Sequence, residues 1–346
     1  MMNWAADYTT LYYGCLVDKT TWRDSSRFEI LSGSISRVGT NLRESADLTT
    51  TDYEYGTDRY IRIWMDVSQN GSHERVALFT GLTSTPDKHI FGFIRDRDGE
   101  VIGYTTERGL KCYSVLKPAQ DVFLERGWWA GKGMISGELI KKLLSVCPAP
   151  VEVAEGSPRL ADHIIAEDGE TNLTTVYKIL EAIGWRIRIT GEGIIQVLPF
   201  SSEPVATFSE VESDMLETEV TVTEDWFECP NVFRAVSDGR TVIVYDNEEG
   251  SELSTIGRGR EIWTEETGIK LSDAESLQDY ARRKLKELQS VSTTIEYERS
   301  YLPDVLVTDR IRLHYPAQGL DGIFAVESQN IALDHCGTTS EEVISA

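Results

Sequence analysis

The feature that most constrains this chain is a rhythm of short alternating segments broken by turn signals. Tyr60–Val67 sets Ile61, Ile63, Met65 and Val67 against Arg62, Trp64 and Asp66, the period of a strand with one buried face. Asn70-Gly71 follows, a strong two-residue hairpin signal, and Val76–Thr80 is the return strand. Phe28–Leu31, His89–Ile94, Val101–Thr105 and Leu110–Val115 continue the pattern, with Asp98-Gly99 and Arg108-Gly109 as turns between them. Strands of about five or six residues at this spacing predict a small barrel or sandwich over residues 1–116. Ser45–Tyr55 is polar and irregular and reads as a long loop.

The character changes near Lys117-Pro118. Ser136–Cys147 carries Leu139, Ile140, Leu143 and Leu144 as one helical stripe, and Pro148 and Pro150 forbid its continuation. Thr171–Ile183 repeats the pattern with Val176, Ile179, Leu180 and Ile183 inward, and Gly184 stands where a helix stops. Trp185–Thr190 and Ile194–Leu198 then form a hairpin across Gly191-Glu192-Gly193. Residues 117–200 therefore read as a compact α+β unit.

Beyond it, Asn231–Ser237 and Thr241–Tyr245 pair across Asp238-Gly239, and Asp246–Gly259 reads as a loop. A helix is expected over Ser272–Gln289. Ser272 and Glu275 form a capping box, Leu277, Ala281, Leu285 and Leu288 form the stripe, and Arg282, Arg283, Lys284 and Lys286 sit late, where cations suit the dipole. Ser292–Tyr301 alternates, with Thr293, Ile295 and Tyr297 on one face. A turn at Pro303-Asp304, a run at Val305–Thr308, and strands at Ile311–Tyr315 and Gly322–Val326 complete a second strand-rich region. The tail beyond Cys336 has little apolar content and is expected to fray.

Composition excludes several classes. The 346 residues suffice for two or three domains, and 40% are apolar, enough for ordinary cores. The balance of 34 Lys and Arg against 57 Asp and Glu leaves a net charge of −23, which is unsuited to gripping nucleic acid by its phosphates. Acidity alone also serves solubility. The five cysteines (Cys15, Cys112, Cys147, Cys229, Cys336) are widely spaced and odd in number, so buried thiols are expected rather than a disulfide framework. Met1-Met2-Asn3-Trp4 opens no basic-then-apolar leader, and no apolar run approaches the roughly 18 residues of a membrane span. A soluble chain with no membrane anchor, made in a reducing cytoplasm, is the expectation.

Nothing in the motifs assigns catalysis. Gly257-Arg258-Gly259-Arg260 lacks the Lys-Ser/Thr of a phosphate-binding loop and reads as a turn. The histidines (His73, His89, His163, His314, His335) are scattered, and His335 beside Cys336 is only a pair. There is no Gly-x-Ser-x-Gly elbow. Composition leaves carboxylate pairs of the glycosidase kind open, although 57 acids supply such pairs by chance. Trp128-Trp129 can be an exposed sugar platform or docking tip; a core anchor is the favoured reading. Asn70-Gly71-Ser72 and Asn172-Leu173-Thr174 fit a glycosylation pattern without other signs of secretion. The expectation is a chain that is not an enzyme, with no catalytic, cofactor-binding or metal-binding residue and no cofactor.

In order, several segments resemble the phage tail hub family: the baseplate hub of contractile tails and the N-terminal hub module of tail-associated proteins in long flexible tails. They are Leu78-Phe79-Thr80-Gly81-Leu82, Leu110–Pro118, Ile183–Ile189 running to Val197-Leu198-Pro199, Trp226–Asn231, and the capped helix. The resemblance implies a β-rich α+β chain. A first tube-like β-barrel would occupy 1–116, an α+β domain 117–200, and a second tube-like barrel 201–238 with 290–346. Residues 239–289 would be an inserted segment bearing the capped helix. It implies a homotrimer whose six barrels form a pseudo-sixfold ring at the virion's tail tip or baseplate, after synthesis in the host bacterial cytoplasm. Such a ring would join a hexameric tail tube or distal tail protein to a threefold spike or central fibre protein. A tape measure protein is a further possible partner, and DNA would cross the lumen without specific binding. This chain departs from larger family members by stopping after the hub module, so their lytic activity is not carried over. Two alternatives stand beside this one: a carbohydrate-binding or glycan-hydrolysing tail component, and a receptor-binding adhesin resting on Trp128-Trp129.

Overall fold

Alternation becomes architecture in a first barrel. The computed structural model describes residues 3–4, 8–51, 58–209, 216–224, 226–237, 239–269, 276–289, 293–334 and 337–345. Strands β1 (Thr9–Val17), β2 (Asp24–Val38), β3 (Glu44–Thr50), β4 (Tyr60–Gln69), β5 (Ser72–Thr83), β6 (Asp87–Arg95) and β7 (Val101–Ser114) follow in turn. Six of them hydrogen-bond in the order β1-β4-β5-β7-β3-β2, and β2 pairs back onto β1, closing the barrel. Ile61, Ile63, Met65 and Val67 are fully buried inside, with Leu78, Phe79 and Leu110. At the β4–β5 turn Asn70 and Gly71 both have positive φ, 49° and 80°, the backbone of a tight hairpin turn that follows the twist of its strands.

One expectation fails here. The polar stretch from Ser45 is strand β3, paired with β2 on one side and β7 on the other. Its inward positions are Glu44, Ala46, Leu48 and Thr50. Only one of the four is a large apolar residue, so the strand has no hydrophobic signature. Of the rest of the expected loop, Thr51 is a bend and residues 52–55 lie outside the described residues.

The middle layer contains α1 (Lys117–Asp121), β8 (Trp129–Ala130), α2 (Ser136–Leu144), β9 (Val151–Val153), β10 (Ile164–Ile165), α3 (Asn172–Ile183), β11 (Trp185–Ile189) and β12 (Ile195–Pro199). Thr171 caps α3 in a reciprocal box with Thr174, and Gly184 ends it at φ 66°. The inward stripes of α2 and α3 share one core with Ile187, Ile195 and Val197. Strand β12 lies between β11 and β9 in a three-stranded sheet.

A second six-stranded sheet comes from the C-terminal half, with β13 (Ala206–Ser209) and β14 (Leu216–Glu224) supplied before the excursion described next. Strands β18 (Thr293–Arg299), β19 (Arg310–Tyr315), β20 (Leu320–Ala332) and β21 (Thr339–Ser345) follow it. The order is β13-β19-β20-β21-β18-β14. The run Val305–Thr308 is irregular, with a turn at Val307-Thr308 ahead of β19. The expected fraying of the tail is also overturned. Residues 339–345 form β21, with Thr339, Glu341 and Val343 buried; residues 335 and 336 lie outside the described residues.

The two sheets are continuous. Strand β2 holds β1 with its first half, and Ser34–Val38 pair with Ser328–Ala332 of β20. Accordingly, Tyr301 and Ile331 sit in the same core as the first barrel's Ile35 and Leu48. The architecture is β-rich α+β.

The chain separates into two compact units, one of Met1–Val220 with Glu296–Ile344 and the other of Thr221–Ile295. In the second, β15 (Val232–Ser237) lies between β16 (Arg240–Tyr245) and β17 (Trp263–Thr267). One turn of helix, α4 (Thr255–Arg258), precedes β17, and α5 (Leu277–Leu288) packs Leu277, Ala281 and Leu285 onto Phe233, Ala235 and Val244. The N-cap of α5 is Ser276, which accepts from the Asp279 amide. The expected box at Ser272–Glu275 lies outside the described residues.

Candidate functional site

Three places in the fold carry more polar or apolar chemistry than folding alone asks for. The first is the seam between the two six-stranded sheets. Arg37 donates to Gln329 Oε1 at 3.3 Å and to the Leu78 carbonyl. Gln329 Nε2 in turn donates to Glu341 Oε1 at 2.6 Å and to the Val305 carbonyl at 3.0 Å. Arg299 grips Glu341 with two parallel hydrogen bonds, 3.0 and 2.8 Å, and the Tyr297 hydroxyl donates to the same carboxylate. Burial raises the carboxyl's pKa, but Arg299, Gln329 and Tyr297 outweigh it, and Glu341 lies below the usual glutamate value. The result is a buried polar chain crossing from the first barrel to the second sheet.

The middle layer is bolted to both sides of this seam. Asp309 receives Arg186 at 3.0 Å and Arg188 at 3.2 Å. On the first barrel, Arg62 donates to Asp24 at 2.7 Å and to the Glu192 carbonyl at 2.9 Å, and Trp22 Nε1 donates to that carbonyl at 2.9 Å. Thr80 closes the contact by donating to the Gly191 carbonyl at 2.7 Å. The hairpin tip 191–193 is thus held by backbone as well as side chains.

The second place is the β6–β7 hairpin. Strand β6 pairs only with β7 among the described residues, and all nine of its residues are exposed. The pairing registers Phe93 with Tyr104 and Ile94 with Gly103. By this register Ile90, Phe93 and Tyr104 line one face and Phe91 and Ile94 the other, with Val101 and Ile102 also exposed. Phe93 and Ile102 are 63% and 65% exposed. The tip is ordered by Asp96, whose Oδ1 accepts from the amides of Asp98 and Glu100 at 3.0 and 2.9 Å. At about 3.3 Å per residue this is an arm of about 30 Å. An arm that is apolar on both faces and has an open edge is a surface built to be covered.

The third place belongs to the second unit. A cleft of about 570 Å³ is lined by Glu224, Trp226, Phe227, Glu252, Arg258 and Arg260, among others. Trp226 is 52% exposed. Arg258 donates to the carbonyls of Cys229 and Phe227, at 2.8 and 2.7 Å, and Arg260 donates to Phe227 at 2.6 Å. The Gly257–Arg260 stretch, read in the sequence as a turn, begins inside α4: Gly257 and Arg258 are helical, Gly259 caps the helix at a left-handed φ of 62°, and the two arginines clamp the Trp226–Cys229 run.

The remaining candidates do not converge. Trp128 packs against the middle core, whereas Trp129 is 62% exposed beside His163, ring centroids 6.1 Å apart; the pair is half core anchor and half surface. His73 bonds Ser68, and His314 pairs with Asp321 at 3.2 Å. His335 and Cys336 lie outside the described residues. Cys15, Cys112, Cys147 and Cys229 are buried and outside any disulfide; burial pushes the Cys147 thiol up to about 11, far from a reactive thiolate. Among the described residues no three His, Cys, Asp or Glu side chains are placed to hold a metal ion, and no helix is long and apolar enough to cross a membrane.

Sequence reasoning missed the seam network. The signal was present: Arg299 is in phase with Ile295 and Tyr297, so a charged residue falls on the buried face of β18.

No protein-family model matches the chain, and no curated protein matches it in sequence. Solved structures do resemble it. A tail protein from Neisseria meningitidis is 18% identical with a TM-score of 0.63, over 98% of this chain and 97% of that one. The 43 kDa tail protein of prophage MuSo2 from Shewanella oneidensis is 12% identical with a TM-score of 0.61, over 96% and 97%. A prophage tail protein from Listeria monocytogenes is 11% identical with a TM-score of 0.50, over 99% and 95%. Over nearly its whole length, this chain has the fold of these phage tail proteins.

Proposed function

We propose that this chain is a structural, non-enzymatic component of a phage tail tip or baseplate: a hub. The observation that carries the reading is the paired architecture. Two six-stranded β-systems are hydrogen-bonded to each other through β2 and β20, so in this reading one chain supplies two ring positions, and three chains supply six. A homotrimer of this kind matches sixfold symmetry on one face and threefold on the other. It would join a hexameric tail tube or distal tail protein to a spike or central fibre protein, with a tape measure protein as a further neighbour. The exposed β6–β7 arm supports the reading, because a neighbouring subunit or ring would cover both its faces. The net charge of −23 suits a channel whose acidic wall repels DNA phosphates and lets DNA pass unbound.

The test is imaging of the purified chain, alone and mixed with a hexameric tail-tube protein. A six-lobed ring with a central hole supports the hub. Particles with no ring under either condition count against it, and a ring wall lined mainly by Lys and Arg counts against the channel.

A second reading, saccharide recognition, is favoured by one observation. The cleft at Trp226 and Phe227 is bordered by the carboxylates of Glu224 and Glu252, a ring to stack on and acceptors for hydroxyls. Titration with soluble host-surface polysaccharide tests it. Quenching of tryptophan fluorescence that disappears in Trp226→Ala supports it; an unchanged spectrum removes it.

A further inference from the structure

A small cavity lies where three parts of the first unit meet: the β2–β3 turn, β11 and the 305–307 stretch. Its volume is about 20 Å³, against the roughly 10–15 Å³ that one water needs. Arg37, Arg43, Glu44 and Arg188 supply its polar lining, with apolar walls that include Ile187 and Leu306. Arg37, Arg43 and Glu44 are at least nine-tenths buried. Four of the lining side chains' polar atoms, Arg37 Nε, Arg43 Nη1, Arg188 Nε and Glu44 Oε1, are shielded from solvent without a hydrogen-bond partner. Buried polar groups in folded proteins rarely stay unpaired.

The charge does not balance. The cations are Arg37, Arg43, Arg186 and Arg188; the acids facing them are Glu44, at 3.8 Å from Arg37, and Asp309, shared by Arg186 and Arg188. Four positive charges meet at most two negative ones. Arg43 donates through Nε to the neutral Tyr177 hydroxyl at 3.2 Å and has no carboxylate partner among the described residues. Water can satisfy hydrogen bonds here but adds no charge, and a buried cation without a counter-charge is strongly disfavoured.

We propose that this cavity binds one small monovalent inorganic anion of halide size, held by Arg37, Arg43 and Arg188, and that the anion locks the middle α+β layer against the seam between the two six-stranded sheets. Only the folded chain brings these donors together, so the bound ion stabilises it by mass action.

Thermal unfolding at constant ionic strength tests this, with chloride replaced stepwise by gluconate, which is too large to enter. The expected result is a midpoint that rises by several degrees with chloride and saturates, with the dependence lost in Arg43→Gln. Equal midpoints in the two salts overturn the proposal. Should Arg43→Gln fail to fold, crystals of the unaltered protein soaked in bromide decide. An anomalous peak between Arg37, Arg43 and Arg188 supports the site; density there without an anomalous signal means water and overturns it.

Discussion

Arg299 and Glu341 form an ion pair with both side chains 0% exposed, Nη2 to Oε1 at 2.8 Å. One partner lies on β18 and the other on β21, the last strand. The pair also shares Gln329 with Arg37 of the first barrel, so the chain's end is tied into the seam. Removing one partner strands a buried charge, which costs about 3–5 kcal/mol, whereas replacing both by apolar residues costs far less. Glu341→Gln and Arg299→Met should each lower unfolding stability in denaturant by that amount, with Arg299→Met/Glu341→Leu recovering much of it. Single variants within about 0.5 kcal/mol of the parent would show that the pair does not hold the seam.

Glu44 predicts a pH dependence of opposite sense. Burial, only partly offset by Arg37, pushes its carboxyl up to about 8 from an ordinary 4.5. The folded chain therefore keeps a proton that the unfolded chain releases. This contribution is complete below pH 4.5 and is lost as pH rises toward 8. Glu44→Gln should flatten stability across that window and gain a few kcal/mol on the parent at pH 8 relative to pH 5, since one unit is about 1.4 kcal/mol. Urea unfolding at the two pH values measures it; parallel losses in parent and variant would contradict it. Glu341, with its lowered pKa, acts the other way. Its contribution is present above the ordinary value of 4.5 and is lost as pH falls through its folded pKa.

The 191–193 tip gives a steric prediction. A Cβ on Gly191 would lie 1.8 Å from the Ala77 carbonyl oxygen, which is backbone and cannot step aside. Gly191→Ala should destabilise by about 1–3 kcal/mol, the usual range for forced overpacking. Gly250→Ala, which meets nothing within 4 Å, is the control and should change stability by less than about 0.5 kcal/mol. Equal effects would mean that the middle layer is not seated on β5 as described.

The arm should separate folding from assembly. Ile90, Phe93, Ile102 and Tyr104 are all exposed, so replacing the four with Thr or Ser should leave the thermal midpoint nearly unchanged. The same variant should fail to form rings in electron micrographs. A variant that still assembles would take the arm out of the interface.

Where the inward face of an element is apolar, the sequence was legible. The strand at Ile61–Val67, helix α3 with its Gly184 stop and the hairpin across 191–193 all follow from pattern and turn chemistry. Strands β3 and β21 were hidden because their buried positions include Glu44, Thr50, Thr339 and Glu341. Glu341 belongs to the polar seam and Glu44 lies 3.8 Å from Arg37 beside it, so the part of the molecule that joins the first barrel to the second sheet is the part that hydrophobic alternation cannot reveal. The arm was visible as two strands in sequence, but its exposure on both faces depends on which strands lie nearby, and that is a tertiary fact.

The most direct test of the hub is the native mass of the purified chain in solution, measured alone and then with a hexameric tube or distal tail protein present. One chain is 38.9 kDa. The account predicts three times that mass, about 117 kDa, for the chain or for its share of the complex. A chain that stays at 38.9 kDa in both conditions would contradict it.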